Sequence, residues 1–135
     1  MNLNIISYCN SSSYSLVGLN ILKEFINQYS YSKISLFPIG QITNQEPQFI
    51  SYIQKGLENA KSFDYDAISL HINHQWMLQN IRVGNLKFGM TFFEVDSLTP
   101  YEVHQINYLD VLFVPTKWCA DIIAKFSDVK TYVTG

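Results

Sequence analysis

The segment LKFGMTFFEVDSLTPYEVHQINYLDVLFVPTKWCADIIA, residues 86–124, decides how the chain is read. Residues 86–93 are mostly apolar and read as a strand, in which Gly89 either allows a close backbone approach or marks a bulge. Two carboxylates, Glu94 and Asp96, stand where that strand ends. Thr99, Pro100 and Glu102 then spell a helix start: an N-cap, a proline at the first helical position, and an acid placed to complete a capping box. That helix should end near Tyr108. Residues 111–115, VLFVP, read as a strand buried on both faces, delivering Thr116, Lys117 and Trp118 to another helix. On that helix Trp118, Ile122 and Phe126 share a face. Polar groups leaving the carboxyl ends of neighbouring parallel strands are the usual way an open α/β sheet builds a site.

Upstream, the pattern repeats. Residues 3–8 (LNIISY) form a first strand, and CNSSS follows as a polar turn with several candidate N-caps. Leu16, Leu19, Leu22, Phe25 and Ile26 recur at helical spacing. Residues 33–37 make a second strand closed by Pro38 and Gly40, and Pro47 opens a helix that stops at Lys61-Ser62. Phe49, Ile50, Ile53, Leu57 and Ala60 give it an apolar stripe. Residues 67–70 form a third strand, followed by the loop His71-Ile72-Asn73-His74-Gln75-Trp76. Gly84-Asn85 signals a turn before the fourth strand, and residues 130–134 read as a sixth. Strands alternating with helices over short connections predict one α/β domain across residues 1–135: three layers, Rossmann-like, with a mainly parallel sheet of about six strands.

Composition narrows the function. The chain has 135 residues, a net charge of −2 and no cluster of Lys or Arg, so it lacks the electrostatic footprint of a nucleic-acid binder. No apolar run approaches the about 20 residues of a membrane span. The N-terminus has no basic region followed by an apolar stretch, and Cys9 and Cys119 make no CxxC, which together predict a cytoplasmic protein with reduced thiols.

Several groups carry chemistry, each with a plainer role beside it. The loop after the first strand is a natural anion site at a helix N-terminus, or simply a serine-rich capped turn, since no GxGxxG is present. His71 leaves a strand end and titrates near neutral pH; with His74 it could equally be a loop residue packed by Trp76. No third ligand accompanies the pair, so no metal site is expected. Glu94 and Asp96 suit acid/base work or a grip on sugar hydroxyls, while the alternative has Asp96 or Ser97 capping a turn and Glu94 answering a Lys or an amide.

Taken together, G-M-T-F-F-E-V-D-S-L-T (89–99) and L-D-V-L-F-V-P-T-K-W (109–118) resemble the N-terminal half of GT-B glycosyltransferases of the family-4-like kind, with their F-E-x-D-x-L and L-D-x-[IVL]-x-V-P-[ST]-x-W segments. The opening NIISYCNSSSYSLVGLN is similar to the first strand, loop and helix of the same enzymes. The resemblance implies half of a GT-B fold, the acceptor-side domain of an enzyme that transfers a sugar from a nucleotide-sugar donor without a metal or other cofactor. It implies catalytic parts for His71 and Glu94, with the choice between His71 and His74 left open. His74, Asp96, Lys117 and Trp118 would line the acceptor side of the cleft, and Asn10, Ser11, Ser12 and Ser13 would face the donor phosphates. Family members continue past the position of Val133 with a P-x-G-[VI]-[DN] segment and a donor-binding domain that this sequence does not contain. The expected partners are therefore a sugar or glycan acceptor and a donor-binding domain, supplied either by the rest of a longer gene product or by a separate chain. The alternative is a stand-alone interaction protein of the same fold, self-associating through an exposed patch around Tyr14, Trp76 or Trp118.

Overall fold

The computed structural model describes residues 2–79 and 85–134, so Gly84 of the expected turn lies outside the described residues. The elements are β1 (Leu3–Tyr8), α1 (Ser13–Gln28), β2 (Ile34–Ile39), α2 (Pro47–Ala60), β3 (Ile68–Ile72), β4 (Lys87–Met90), α3 (Pro100–Asn107), β5 (Val111–Val114), α4 (Lys117–Phe126) and β6 (Lys130–Val133). The strands join one parallel, six-stranded sheet in the order β2-β1-β3-β4-β5-β6. This is an α/β architecture of the Rossmann-like kind. β1 lies between β2 and β3, so the strand order reverses there, and the carboxyl ends of β1 and β3 flank the topological switch point.

Strand parity sorts the side chains into two cores. Leu3, Ile5, Ile34, Leu36, Leu70 and Ile72 share the face that meets Leu19 and Leu22 of α1 and Phe49 and Ile53 of α2. Leu112 and Val114 face the other way, onto Ile106 of α3 and Cys119, Ile122 and Ile123 of α4. Of the apolar stripe expected on α4, Ile122 is buried, while Trp118 and Phe126 remain partly exposed. Toward β5 the α1 face has less cover. A groove of about 340 Å³ there runs between Ile21 and Phe25 of α1 and Phe88, Met90 and Phe113 of the sheet.

Three boundaries differ from the sequence reading, each for a tertiary reason. β2 does not stop at Pro38, which pairs with Ser7 inside the strand. The missing N–H is harmless because β2 is an edge strand, and α2 covers that edge, with Asn59 Nδ2 donating to the Ile34 carbonyl at 3.0 Å. β3 runs on through His71 and Ile72, which pair with Gly89 and Met90 of β4. β4 is short: Thr91 N–H gives its last ladder bond, to the Phe113 carbonyl of β5 at 3.1 Å, and the backbone leaves the sheet beyond it. Gly89 keeps regular pairing with His71 and Leu112, so it is no bulge. The Leu109 side chain lies over it, with Cδ1 only 2.5 Å from where a Cβ would stand.

The capping box on α3 forms as the sequence predicts. Thr99 Oγ1 accepts from Glu102 N–H at 3.2 Å, and Glu102 Oε1 accepts from Thr99 N–H at 2.9 Å. Glu102 also takes a 2.7 Å hydrogen bond from Gln75, tying α3 to the loop after β3. Burial opposes ionisation of this carboxyl, but the Thr99 amide, the Gln75 amide and the Thr99 hydroxyl outweigh it and hold Glu102 below its ordinary range. Thr99→Ala is expected to lose about 1 kcal/mol of stability in urea unfolding. An unchanged midpoint would mean that the cap contributes nothing.

Candidate functional site

β3 brings His71 to the switch point but buries it, with 3% of its surface exposed. Its Nδ1 lies 2.8 Å from the Leu78 carbonyl, which only an N–H can satisfy, so Nδ1 donates. Nε2 is then the lone-pair nitrogen and accepts from Asn73 Nδ2 at 3.3 Å. Asn73 is itself buried. Its Oδ1 accepts from the Tyr8 hydroxyl at 3.1 Å and from the His74 amide at 2.8 Å. Burial lowers the pKa of His71 below the ordinary histidine value, against a smaller opposite pull from the Leu78 carbonyl. Both ring nitrogens are engaged, so His71 is a neutral strut that holds Asn73, and through it the backbone at His74.

His74 is differently placed. Its ring is half-buried between Tyr14 (centroids 4.4 Å apart, tilted) and Trp76 (4.9 Å, stacked). Tyr14 in turn stacks on Phe92 at 3.9 Å, so four rings form a column from the end of β4 past α1 to the loop after β3. Tyr14 is buried and donates to the Phe92 carbonyl at 2.7 Å. Burial raises the pKa of its hydroxyl, keeping it a donor. Trp76 stacks on the His74 imidazole and Tyr14 abuts it at a tilt, which holds the ring in place, and neither ring nitrogen bonds another described residue. His74, unlike His71, offers its nitrogens at the strand ends.

The loop after β1 organises itself through its own side chains. Ser12 is the N-cap of α1 and accepts from Ser15 N–H at 3.2 Å. Asn10 Oδ1 accepts from Ser12 N–H, while Ser15 Oγ accepts from Asn10 N–H. Asn44 closes the loop by donating to the Asn10 carbonyl at 2.9 Å. The capped turn is therefore real. It leaves the first-turn amides of Ser13 and Tyr14 without intrahelical acceptors, as at any helix start. Ser11, Ser12 and Ser13 are exposed along a shallow depression of about 310 Å³ shared with Asn10 and Glu46.

A second depression, of about 640 Å³, opens where β4 and β5 end. Phe92, Phe93, Pro115, Trp118 and Cys119 give it apolar walls, and Glu94 and Thr116 supply polar groups. Thr116 caps α4 by accepting from Cys119 N–H at 3.2 Å, which fixes the first turn of that helix and the start of Trp118's side chain. Trp118 leans on Phe93, centroids 6.3 Å apart, with 47% of its surface exposed. Glu94 and Asp96 are both exposed, and neither bonds another described residue, so neither Asp96 nor Ser97 plays the capping part. Asp96 and Lys117 do not line this cleft. The Lys117 ammonium is exposed and spanned to Asp121 one turn on, at 3.0 Å.

No protein-family model, curated protein or solved structure matches the chain. Among the described residues no group of His, Cys, Asp or Glu is arranged to hold a metal ion, and no helix is long and apolar enough to cross a membrane. Both cysteines are free and buried. Burial pushes the Cys9 thiol up to about 11, which removes it as a thiolate nucleophile.

The structure thus brings residues 10–13, His74, Glu94 and Trp118 to the carboxyl end of the sheet, with His71 beneath them. Sequence reasoning missed Asn73 and Phe92, which hold His74 from below and through the ring column. It also offered Tyr14 as an exposed patch residue, whereas Tyr14 is buried as the anchor of that column. A tyrosine one turn after a strand, facing the phenylalanine that ends another strand, carries no local signal. Only the fold makes them neighbours.

Proposed function

We propose that this chain is the acceptor-side domain of a GT-B-type glycosyltransferase, moving a sugar from a nucleotide-sugar donor and depending on a donor-binding domain for turnover. The observation that carries this reading is the convergence, at one end of the sheet, of the capped loop 10–13, the clamped His74 and the Glu94–Trp118 cleft. The last of these is built from the F-E-x-D and V-P-T-K-W segments on adjacent strand ends. In this reading the start of α1 faces the donor phosphates and Glu94 receives acceptor hydroxyls. His74, with its free ring nitrogens, stands nearest the reacting carbon. His71 acts through Asn73 as a positioning residue, and the nucleotide sugar is a substrate, with no cofactor. A single half-cleft cannot orient both reactants, so transfer belongs to the assembled enzyme.

The test is a transfer assay on material purified from the protein's own cells through a tag on this chain, so that any donor-binding partner is carried with it. Labelled nucleotide sugars and added glycosides should give product in the assembly and none with the isolated chain. An assembly that contains a nucleotide-sugar-binding partner and still transfers nothing would end the reading.

The second reading, a self-associating interaction protein, draws on a different surface from the one expected. Trp76 and Trp118 are partly exposed, but the apolar groove lies on the sheet face beside α1, at Phe88, Met90 and Phe113. Parallel sheets are nearly always covered on both faces. A chain that sediments as a monomer at all concentrations would remove this reading.

A further inference from the structure

We propose that the cleft at the ends of β4 and β5 binds an uncharged pyranoside, stacking its flat C–H face on Trp118 and taking its hydroxyls on Glu94. The inference rests on the acceptor-side reading and deepens it by naming the charge and shape of the acceptor.

The lining argues for that class. A flat indole, backed by Phe93 and half-open to solvent, presents an electron-rich face that favours polarised C–H bonds and cations and disfavours anions. Pro115 and Phe92 continue the apolar wall, so a ligand edge made only of charged groups would be poorly solvated there. Glu94 is the charged group that lines the space, and its oxygens have no described partner, which leaves them as acceptors for hydroxyl donors. Thr116 adds a hydroxyl at the same rim, although its oxygen already caps α4. No described Lys, Arg or His lines the cleft. The nearest basic residue in sequence, Lys117, directs its ammonium to Asp121 along the helix surface. A carboxylate with no cation beside it repels phosphate and uronate groups. Sugar phosphates and acidic sugars are thereby disfavoured, and neutral glycosides fit.

The full chain, ¹⁵N-labelled, is titrated with methyl β-D-glucopyranoside and methyl α-D-mannopyranoside, then with glucose 6-phosphate and a methyl glucuronide. The two indole N–H resonances, of Trp76 and Trp118, are assigned by single Trp→Phe changes. At least one neutral glycoside should move the Trp118 indole and the amides around Glu94 and Thr116, with the acidic sugars weaker by about tenfold or more. Trp118→Ala should abolish the shifts at Glu94 while Trp118→Phe retains part of them. Glu94→Gln should weaken the neutral ligand and narrow the gap to the acidic ones. The spectrum of each variant reports at once whether the fold survives, and Trp118 is exposed enough that it should. Shifts at Trp76 with Trp118 unmoved would overturn the cleft and leave the acceptor-side reading standing. Equal binding of acidic sugars would overturn the charge argument. Silence with every sugar up to about 50 mM would overturn the cleft inference altogether, and the transfer assay then judges the wider reading separately.

Discussion

Replacing Gly18 with alanine is expected to destabilise the fold by about 1–3 kcal/mol. Helix propensity alone predicts the opposite sign, a gain of about 1 kcal/mol for Gly→Ala inside a helix. The difference lies in what α1 rests on. A Cβ at Gly18 would stand 1.8 Å from Ser7 Oγ and 2.7 Å from Ser7 Cβ. The hydroxyl could turn away at the cost of its 3.1 Å bond to the Tyr8 carbonyl. The Cβ cannot, because the backbone of β1 fixes it. α1 must therefore lift from the sheet, and it carries Tyr14, the second ring of the column that clamps His74. Urea unfolding should show the loss, and a second change, Ser7→Gly, should recover at least half of it. A Gly18→Ala protein as stable as the parent would mean that the helix is not seated as closely as these distances require. The same variant should broaden or shift the Trp76 indole resonance, since Trp76 stacks on the far side of His74.

Gly18 also shows where the sequence stops informing. The helix around it is legible from Leu16, Leu19, Leu22, Phe25 and Ile26, because amphipathic spacing is a local property. So are the caps at Thr99 and Thr116, whose partners lie three residues away. Strand 3–8 was legible as a short, mostly apolar run and strand 111–114 as a continuous one. That Gly18 is a contact point with Ser7 was not, since nothing within one helix says which face meets a strand eleven residues earlier. Pro38 misled for a related reason. A proline ends a central strand but is tolerated on an edge, and whether β2 is an edge is settled only when β3 pairs on the other side of β1.

The candidate site was legible to a similar depth. That polar residues would gather at the carboxyl ends of β1, β3, β4 and β5 followed from the alternation of strands and helices. Which histidine would be accessible did not. His71 and His74 lie three residues apart in a polar-looking segment, and their fates diverge because β3 continues two residues further than its apolar run. That extension commits His71 to the ladder and turns its ring inward, while His74 falls beyond it, between Tyr14 and Trp76. Likewise Lys117 and Trp118 are adjacent, yet the first turns along α4 and only the second lines the cleft.

The buried state of His71 has a measurable consequence. Stability is expected to fall as pH drops below about 6.5, well before the carboxylates titrate. Burial lowers the pKa of His71 in the folded chain, so across this window the unfolded chain takes up a proton that the folded chain refuses. The unfolded state then binds more protons, and stability rises with pH until it levels off above the unfolded value. The slope cannot exceed about 1.4 kcal/mol per pH unit for one group. Protonation would also set an Nε2–H against the Asn73 amide donor 3.3 Å away, so the proton finds no acceptor in the folded network. Glu102 and Asp64 are held below their ordinary ranges, so their contribution, present above the unfolded carboxylate pKa, is lost only at more acid pH. Urea unfolding of the parent and of His71→Asn at pH 7, 6 and 5 separates the cases. The variant should be less stable at pH 7, having lost the Asn73 contact, but nearly flat from pH 6.5 to 5, so the two curves converge as acid is added. Parallel curves would show that His71 titrates alike in both states, and that its burial does not make it the neutral strut beneath His74.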